Sequence, residues 1–276
     1  MKKVILITGA SSGIGYDTAE MLARQGHVVY AAARRTELME PLEAMGAHVM
    51  RMDVTDEDSM RQGVERVLRD EGRIDVLVNN AGYGYFGAIE NVSMDEARRQ
   101  VEVNVFGMAR LTQLVIPVMR KQGSGRIINT SSIAGKMSIN LGGWYCVTKY
   151  AVEAFSDALR AELKPFGIDV VKIEPGAIKT NWGVIAADNL ERSSEGTSYE
   201  EMGRQWAGSM RWFYQSDIPS SPAVITKVIC RAVNSRHPRA HYCRGRFSFV
   251  GRAMHAILPA RWWDVLMRKA GTVRIS

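Results

Sequence analysis

A doubly wound α/β fold, one parallel sheet with helices on both faces, is predicted by three observations. Short apolar runs alternate with longer amphipathic stretches over the first 175 residues. The runs are apolar at successive positions, so both faces of each strand are expected to be buried. Each run leads into a helical stretch, and right-handed crossovers between parallel strands then build this architecture.

Strands are expected at residues 3–8, 28–33, 48–52, 74–79, 126–130 and 169–174. The helices between them are expected at 14–25, 57–70, 94–121 and 145–166. No linker, low-complexity tract or internal repeat divides the chain, so residues 1–276 read as a single Rossmann-type domain. The pattern breaks down between Thr180 and Ser220, a segment rich in Gly, Ser and Glu that also holds Trp182, Trp206, Trp212, Phe213 and Tyr214. A long irregular segment in a compact domain commonly covers a binding site, so 181–220 is read as a substrate lid. The plainer alternative is a surface insertion of two helices. A helix at 222–233 and a short strand at 240–243 precede a basic, aromatic tail at 244–276.

Hydrophobic residues make up 46% and charged residues 24% of the chain, as in ordinary globular proteins. Cys146, Cys230 and Cys243 form no CxxC pair, and His27, His48, His237, His241 and His255 show no ligand spacing. Neither a disulfide framework nor a metal site is expected. The apolar run after Met-Lys-Lys is too short for a signal-peptide core, and no later stretch offers ~20 consecutive apolar residues. A cytoplasmic protein is the expectation. The net charge of +7 suggests nucleic acid at first, but residues 236–276 hold nine Lys/Arg against one Asp. The rest of the chain is then at −1, and no nucleic-acid reading motif is visible, so no nucleic-acid partner is expected.

The first strand runs through Thr8-Gly9-Ala10-Ser11-Ser12-Gly13-Ile14-Gly15 straight into a helix. Glycines at 9, 13 and 15 permit a tight turn and let backbone N–H groups approach a pyrophosphate at the helix N-terminus. The GxxxGxG spacing differs from the GxGxxG of other dinucleotide folds. Further along, Asn79-Asn80-Ala81-Gly82 closes the fourth strand and Asn104 stands in Val-Asn-Val-Phe-Gly. Asn129-Thr130-Ser131-Ser132 ends the fifth strand, Tyr145-Cys146-Val147-Thr148-Lys149 opens a helix, and Pro175-Gly176-Ala177-Ile178-Lys179-Thr180 follows the sixth strand. A lone Tyr-x-x-x-Lys is usually mere helix surface; five motifs in order are not.

In that order, with Ser132 thirteen residues before Tyr145, the sequence resembles the short-chain dehydrogenase/reductase family. The resemblance spans residues 3–180 and extends more loosely to about 243. It implies catalysis by Asn104, Ser132, Tyr145 and Lys149 with a nicotinamide dinucleotide. Tyr145 and Lys149, at i and i+4, share one helix face. A free phenol titrates at roughly 10, too high for acid–base work near neutrality. A nearby ammonium and the cationic ring of the oxidised cofactor are expected to lower it. Tyr145 is thus the expected proton donor in reduction and base in oxidation. Ser132 is expected to hydrogen-bond the substrate oxygen; the residues alone do not separate it from Ser131, and the family spacing does. Lys149 also grips the nicotinamide ribose by resemblance. Asn104 is read as helping to hold a relay water, against the plainer reading of a satisfied buried amide.

The same resemblance places Gly9, Ser11, Ser12, Gly13, Ile14 and Gly15 at the pyrophosphate, and Asp53 with Val54 around the adenine ring. Asn80, Ala81 and Gly82 are expected along the adenine ribose, and Pro175, Gly176, Ile178 and Thr180 around the carboxamide. The second strand ends Ala33-Arg34-Arg35 without a carboxylate, so NADP(H) is expected in preference to NAD(H), with Arg34 and Ser12 facing the 2′-phosphate. Arg34 and Arg35 could instead be solvated charges at a helix start.

A non-catalytic dinucleotide sensor on this fold would be expected to lose its Tyr or Lys, and this chain keeps both. The aromatic, Met-rich lid and tail favour an apolar substrate, and the whole chain resembles the hydroxysteroid and retinol dehydrogenase branch, with its lipid metabolism. A reductase of smaller aldehydes or ketones is the alternative. A homo-oligomer is expected by the same resemblance. In the tail, Pro259 is expected to start a short helix with Trp262, Leu266 and Lys269 on one stripe and Trp263 and Met267 beside it. Arg244, Arg246, Arg252, Arg261, Arg268, Lys269 and Arg274 surround it, so the tail is expected to border the pocket and to give weak, salt-sensitive contact with an anionic membrane surface.

Overall fold

Strand β1 (Val4–Thr8) is buried along its whole length, and so is β2 (Val28–Ala33). Ile5 and Ile7 enter the core on one side of the sheet, while Val4 and Leu6 enter the core on the other. Successive side chains of a strand point to opposite faces, so these continuous apolar runs require helices on both sides. The computed structural model describes residues 2–271; Met1 and residues 272–276, Arg274 among them, lie outside the described residues.

The described chain runs β1, α1 (Gly13–Arg24), β2, α2 (Glu40–Glu43), β3 (His48–Arg51), α3 (Glu57–Glu71), β4 (Val76–Asn79), α4 (Met94–Val101), α5 (Met108–Gln122) and β5 (Gly125–Thr130). It continues through α6 (Gly143–Leu163), β6 (Ile168–Pro175), α7 (Asn181–Ser194), α8 (Glu200–Gln215), α9 (Ala223–Asn234), β7 (His241–Arg244), α10 (Ser248–Ile257) and α11 (Ala260–Gly271). The strands form one parallel sheet in the order β3-β2-β1-β4-β5-β6-β7, the doubly wound arrangement the sequence predicts. Helices α1 and α9 cover one face, and α3, α5 and α6 the other.

Three features differ from the sequence reading. The segment 181–220 is not irregular: α7 and α8 pack against each other as a helical hairpin, with Ala186, Ala187, Leu190, Trp206 and Ala207 buried between them and the body. Glycine, serine and glutamate obscured that apolar spacing. The expected helix at 94–121 is one 29-residue helix with a wide π-helical turn at Glu102–Gly107. It is long and apolar enough by length and composition to cross a membrane, yet Leu111, Val115 and Met119 are core residues against the sheet. A helix, α10, also forms where the sequence reading had none, ahead of the expected helix after Pro259.

Candidate active site

The central strands deliver their carboxyl ends to one edge of the sheet, where open α/β sheets bind ligands. Thr8, Asn79, Thr130 and Pro175 end β1, β4, β5 and β6 there. At the first of these ends, Gly9 has φ +67°, and a Cβ on it would come within 2.8 Å of Ala81 Cα. A Cβ on Gly15 would overlap the Gly9 carbonyl. The turn is thus drawn tight against the end of β4 by residues that only glycine satisfies. Ser12 does not cap α1 with its side chain, so the first-turn N–H groups keep no acceptor from it. Uncapped N–H groups at a helix start suit an anion, and the residues present fit a dinucleotide pyrophosphate.

Asn80 is occupied in holding this turn: its Nδ2 donates to the carbonyls of Thr8 at 3.2 Å and Gly9 at 3.3 Å. Thr8 Oγ1 accepts the N–H groups of Asn80 and Ala81, each at 3.1 Å. The Asp53 carboxylate accepts from Thr55 N at 3.0 Å and Thr55 Oγ1 at 2.8 Å. Burial pushes its pKa up, but those bonds and the Arg34 and Arg51 charges hold it below the usual range. Val54 abuts the π-helical turn, where a Cβ on Gly107 would overlap its carbonyl. Beside them a cavity of about 460 Å³ is lined by Arg34, Asp53, Thr55, Arg98, Arg99, Glu102 and Val103.

Ser132, Tyr145 and Lys149 come together at the ends of β5 and α6. The Ser132 hydroxyl lies close enough to the Tyr145 phenol to lower its pKa, and Ser132 Oγ accepts Ala134 N at 3.1 Å. Ser131 Oγ, by contrast, is buried away from this pair with no hydrogen-bond partner, so the structure separates the two serines. Lys149 Nζ donates to the Thr130 carbonyl at 2.9 Å and lies 5.8 Å from the Tyr145 ring centroid. Burial lowers the ammonium to about 8, with Glu153 opposing the shift. Burial also raises the Tyr145 phenol above its ordinary range; the nearby Ser132 hydroxyl opposes the rise, while Tyr214 and Cys146 add to it. The expected lowering of Tyr145 by the Lys149 ammonium is therefore not a property of the chain itself, because desolvation dominates.

Asn104 sits in the π-helical turn, a feature often found at functional sites. Its Oδ1 accepts Tyr83 N at 3.0 Å, and its Nδ2 donates to Tyr83 O at 2.8 Å and Thr148 Oγ1 at 3.1 Å. The side chain is a satisfied buried amide, and it fixes the turn after Gly82. Pro175, Gly176, Ile178 and Thr180 form the loop between β6 and α7, and Thr180 is the residue before the helix. A Cβ on Gly13 would meet Thr180 Cγ2 at 3.4 Å, so this loop and the glycine turn face each other across the cleft.

Several residues of the site escaped sequence reasoning. Asn79 Nδ2 donates to Thr112 Oγ1 and Asn129 Oδ1, both at 2.9 Å, and Asn129 Nδ2 donates to Ser156 Oγ at 2.9 Å. This buried chain ties β4, β5 and α6 together behind Ser132 and Tyr145; Asn79 and Asn129 stood in the strand-end motifs without an assigned role. Phe86, Trp182 and Tyr214 build an aromatic wall beside Tyr145. Of these, Trp182 and Tyr214 were named in the lid segment, and Phe86 carried no signal in the sequence.

A parallel sheet in this strand order, with a glycine turn at β1 and a Ser–Tyr–Lys cluster at β5 and α6, defines a nicotinamide-dinucleotide oxidoreductase. The chain belongs to the short-chain dehydrogenase/reductase family: the family model described as short chain dehydrogenase matches residues 3–189. It is 36% identical over 265 residues to a probable short-chain type dehydrogenase/reductase VdlC of Helicobacter pylori, covering 95% of this chain and 96% of that one. It is 38% identical over 238 residues to a 3-ketodihydrosphingosine reductase of Bacteroides thetaiotaomicron, covering 86% and 85%. The solved structure of a short-chain dehydrogenase from Streptomyces avermitilis superposes with a TM-score of 0.80 at 34% identity, over 98% of each chain.

Proposed function

We propose that this oxidoreductase uses NADP(H) to interconvert an alcohol and its carbonyl on an apolar, lipid-like substrate. The observation that carries the reading is the meeting of the Ser132 and Tyr145 hydroxyls, with Lys149 one turn along α6, under an aromatic wall. A nicotinamide dinucleotide held by these residues would supply or take up the hydride. Tyr145 donates the proton to the substrate oxygen in reduction and removes it in oxidation. Ser132 donates a hydrogen bond to that same oxygen and holds it beside the phenol. Lys149, steered by the Thr130 carbonyl, grips the nicotinamide ribose, while Asn104 is committed to Tyr83 and Thr148 and fixes the turn beside the site.

The glycine turn with Ser11, Ser12 and Ile14 takes the pyrophosphate, Asp53 and Val54 frame the adenine, and Asn80, Ala81 and Gly82 line its ribose. Pro175, Gly176, Ile178 and Thr180 hold the carboxamide. Arg34, on the wall of the cavity next to Asp53, gives a 2′-phosphate a cation, which supports NADP(H) over NAD(H).

Phe86, Trp182 and Tyr214 favour an apolar substrate, with α7 and α8 as its lid. The relative named 3-ketodihydrosphingosine reductase supports a ketone on a lipid-like skeleton. The reading includes a cytoplasmic enzyme and a homo-oligomer, for which the exposed Phe106, Val147 and Tyr150 offer an apolar face on adjoining helices. It also includes weak contact of α10 and α11 with an anionic membrane surface. A cofactor-linked screen of steroids, retinoids, keto sphingoid bases, fatty alcohols and simple ketones tests it. Turnover confined to small water-soluble ketones would reject the lipid-like substrate.

A further inference from the structure

Glu174 is the residue before Pro175, and at 1% exposure it is a carboxylate buried at the mouth of the cofactor loop. Its Oε2 accepts from Arg252 Nη1 at 3.2 Å, and its Oε1 lies 3.6 Å from His241 Nδ1. A buried carboxylate without a cation is costly, so Arg252 is drawn in to meet it. Arg252 stands on α10, 78 residues along the chain. The sequence reading placed it among the tail cations facing an anionic membrane surface; its side chain is 38% exposed and paired with Glu174 instead.

The segment leading into α10 is knitted to the same loop. Gly176 N donates to the Arg244 carbonyl at 2.7 Å, and Ala177 N to the Arg246 carbonyl at 2.9 Å. A Cβ on Gly176 would overlap that Arg246 carbonyl, so the two strands of chain lie in direct backbone contact. Further along α10, a Cβ on Gly251 would meet Met137 Sδ at 3.1 Å, and from α11 Trp263 Nε1 donates to the Ser138 carbonyl at 3.2 Å. The C-terminal helices thus brace both the 175–178 loop and the 132–138 turn that begins with Ser132.

We propose that the Glu174–Arg252 pair is a positioning device, locking α10 onto the two loops so that cofactor and substrate are held at their reacting distance. Glu174 and Arg252 act through the loops and touch neither reactant. The inference rests on the reading that residues 175–180 hold the cofactor's carboxamide. A purely structural pair would lower thermal stability and leave the kinetics of the folded enzyme intact. A positioning pair changes them, because loosening a site's support costs rate and affinity even far from the chemistry.

The test compares R252A, R252K, E174Q, T180A and the double variant E174Q/R252A, well below the Tm of each. NADPH Kd is read by fluorescence titration, and kcat and KM by steady-state kinetics. R252A is expected to raise the NADPH Kd roughly tenfold and to lower kcat. R252K should restore most of both, and the double variant should be no worse than R252A, since the two residues act as one unit. E174Q keeps the size of the side chain and should give a smaller shift, which preserves the test if R252A does not fold. If T180A raises the Kd while R252A and E174Q leave Kd and kcat unchanged, the loop assignment stands and the positioning role is overturned. If T180A and R252A both leave the Kd unchanged, the loop assignment itself fails, and the inference with it.

Discussion

The Trp182 indole lies 5.1 Å from the Tyr145 ring, centroid to centroid, with their planes tilted by 50°. Phe86 completes the group, 5.8 Å from Tyr145 and 5.9 Å from Trp182. Because Trp182 is the second residue of α7, the helical hairpin of α7 and α8 is mechanically attached to the proposed proton donor. Trp182→Ala is therefore expected to raise KM for an apolar substrate about tenfold or more while changing the NADPH Kd little, since a buried aromatic is worth a few kcal/mol. Kinetics on the best substrate of the screen check this. Limited proteolysis supplies a second measurement: residues 181–220 should be cut more slowly with NADPH and substrate than without. Equal rates would argue against a lid.

Tyr145→Phe keeps the ring in its pocket and removes the hydroxyl proposed to carry the proton. Turnover should fall by at least ~100-fold, the lower end of what a positioned acid contributes, with NADPH affinity nearly unchanged. Stopped-flow and equilibrium titration read the two quantities separately. Near-normal turnover would overturn the assignment of Tyr145.

Lys149 gives a pH signature. Its pKa is lowered to about 8 by burial, against an ordinary value of 10.5. Below pH 8 both folded and unfolded chains carry the ammonium, and the folded state bears the full cost of burying it. Between pH 8 and 10.5 the unfolded chain holds more proton, so stability from this group rises with pH. The whole effect is on the order of 3 kcal/mol. Wild type should therefore gain stability relative to Lys149→Met across that window, measured by urea denaturation at stepped pH. A difference that stays flat would exclude the buried ammonium as its source. At neutral pH the same variant should lose both turnover and cofactor affinity.

The sheet was readable because strands such as Val4–Thr8 and Val28–Ala33 are buried on both faces, and that burial is written directly in their composition. The proposed reacting groups were readable for a different reason: Tyr145 and Lys149 stand at i and i+4 on α6, and the resemblance to the family, rather than the residues alone, singled out Ser132 from Ser131. Glu174 was invisible because its partner Arg252 is distant in sequence and looks like any surface arginine. The helices α7 and α8 stood only as the alternative reading of 181–220 because their buried faces use Ala186, Ala187, Gly203 and Ala207, small residues with little hydrophobic signal. In the tail, the packed side is Trp263 with Met267, while Trp262 and Leu266, grouped together from the sequence, face outward. A one-residue rotation decides which tryptophan is buried, and only the tertiary contacts fix it.

Arg34 is exposed on the rim of the cavity that it shares with Arg98 and Arg99, and the Asp53 carboxylate also feels its charge. Wild type should show a higher kcat/KM with NADPH than with NADH. Arg34→Ala should narrow that ratio by about tenfold, the worth of one charge-assisted hydrogen-bonded contact of ~1.5 kcal/mol. The change should fall in KM for NADPH and leave NADH almost untouched. A wild type that favours NADH would reject the cofactor assignment.

The C-terminal helices carry the last prediction. Phe249, Val250, Ile257, Trp262, Val265 and Leu266 are exposed on α10 and α11, a dense apolar group for so short a stretch. Arg244, Arg261, Arg268 and Lys269 lie within the same region, against the single acid Asp264. Trp263 is 6% exposed and Trp262 69%, so α11 holds the body with one side and offers the other to its surroundings. Exposed tryptophan, aliphatic side chains and arginines together suit the boundary of an anionic membrane. Each cation near such a surface contributes ~1 kcal/mol within a Debye length, so the attraction should be weak and screened by salt. Co-sedimentation with phosphatidylserine-containing vesicles should therefore bring down the protein at low ionic strength and release it at high salt, with little binding to neutral vesicles. Trp262→Ala combined with Arg261→Ala should reduce binding without altering kcat on a soluble ketone, since neither side chain reaches the site. Salt-independent binding would point to a purely apolar contact, and no binding at low salt would remove the membrane from this enzyme's reading altogether.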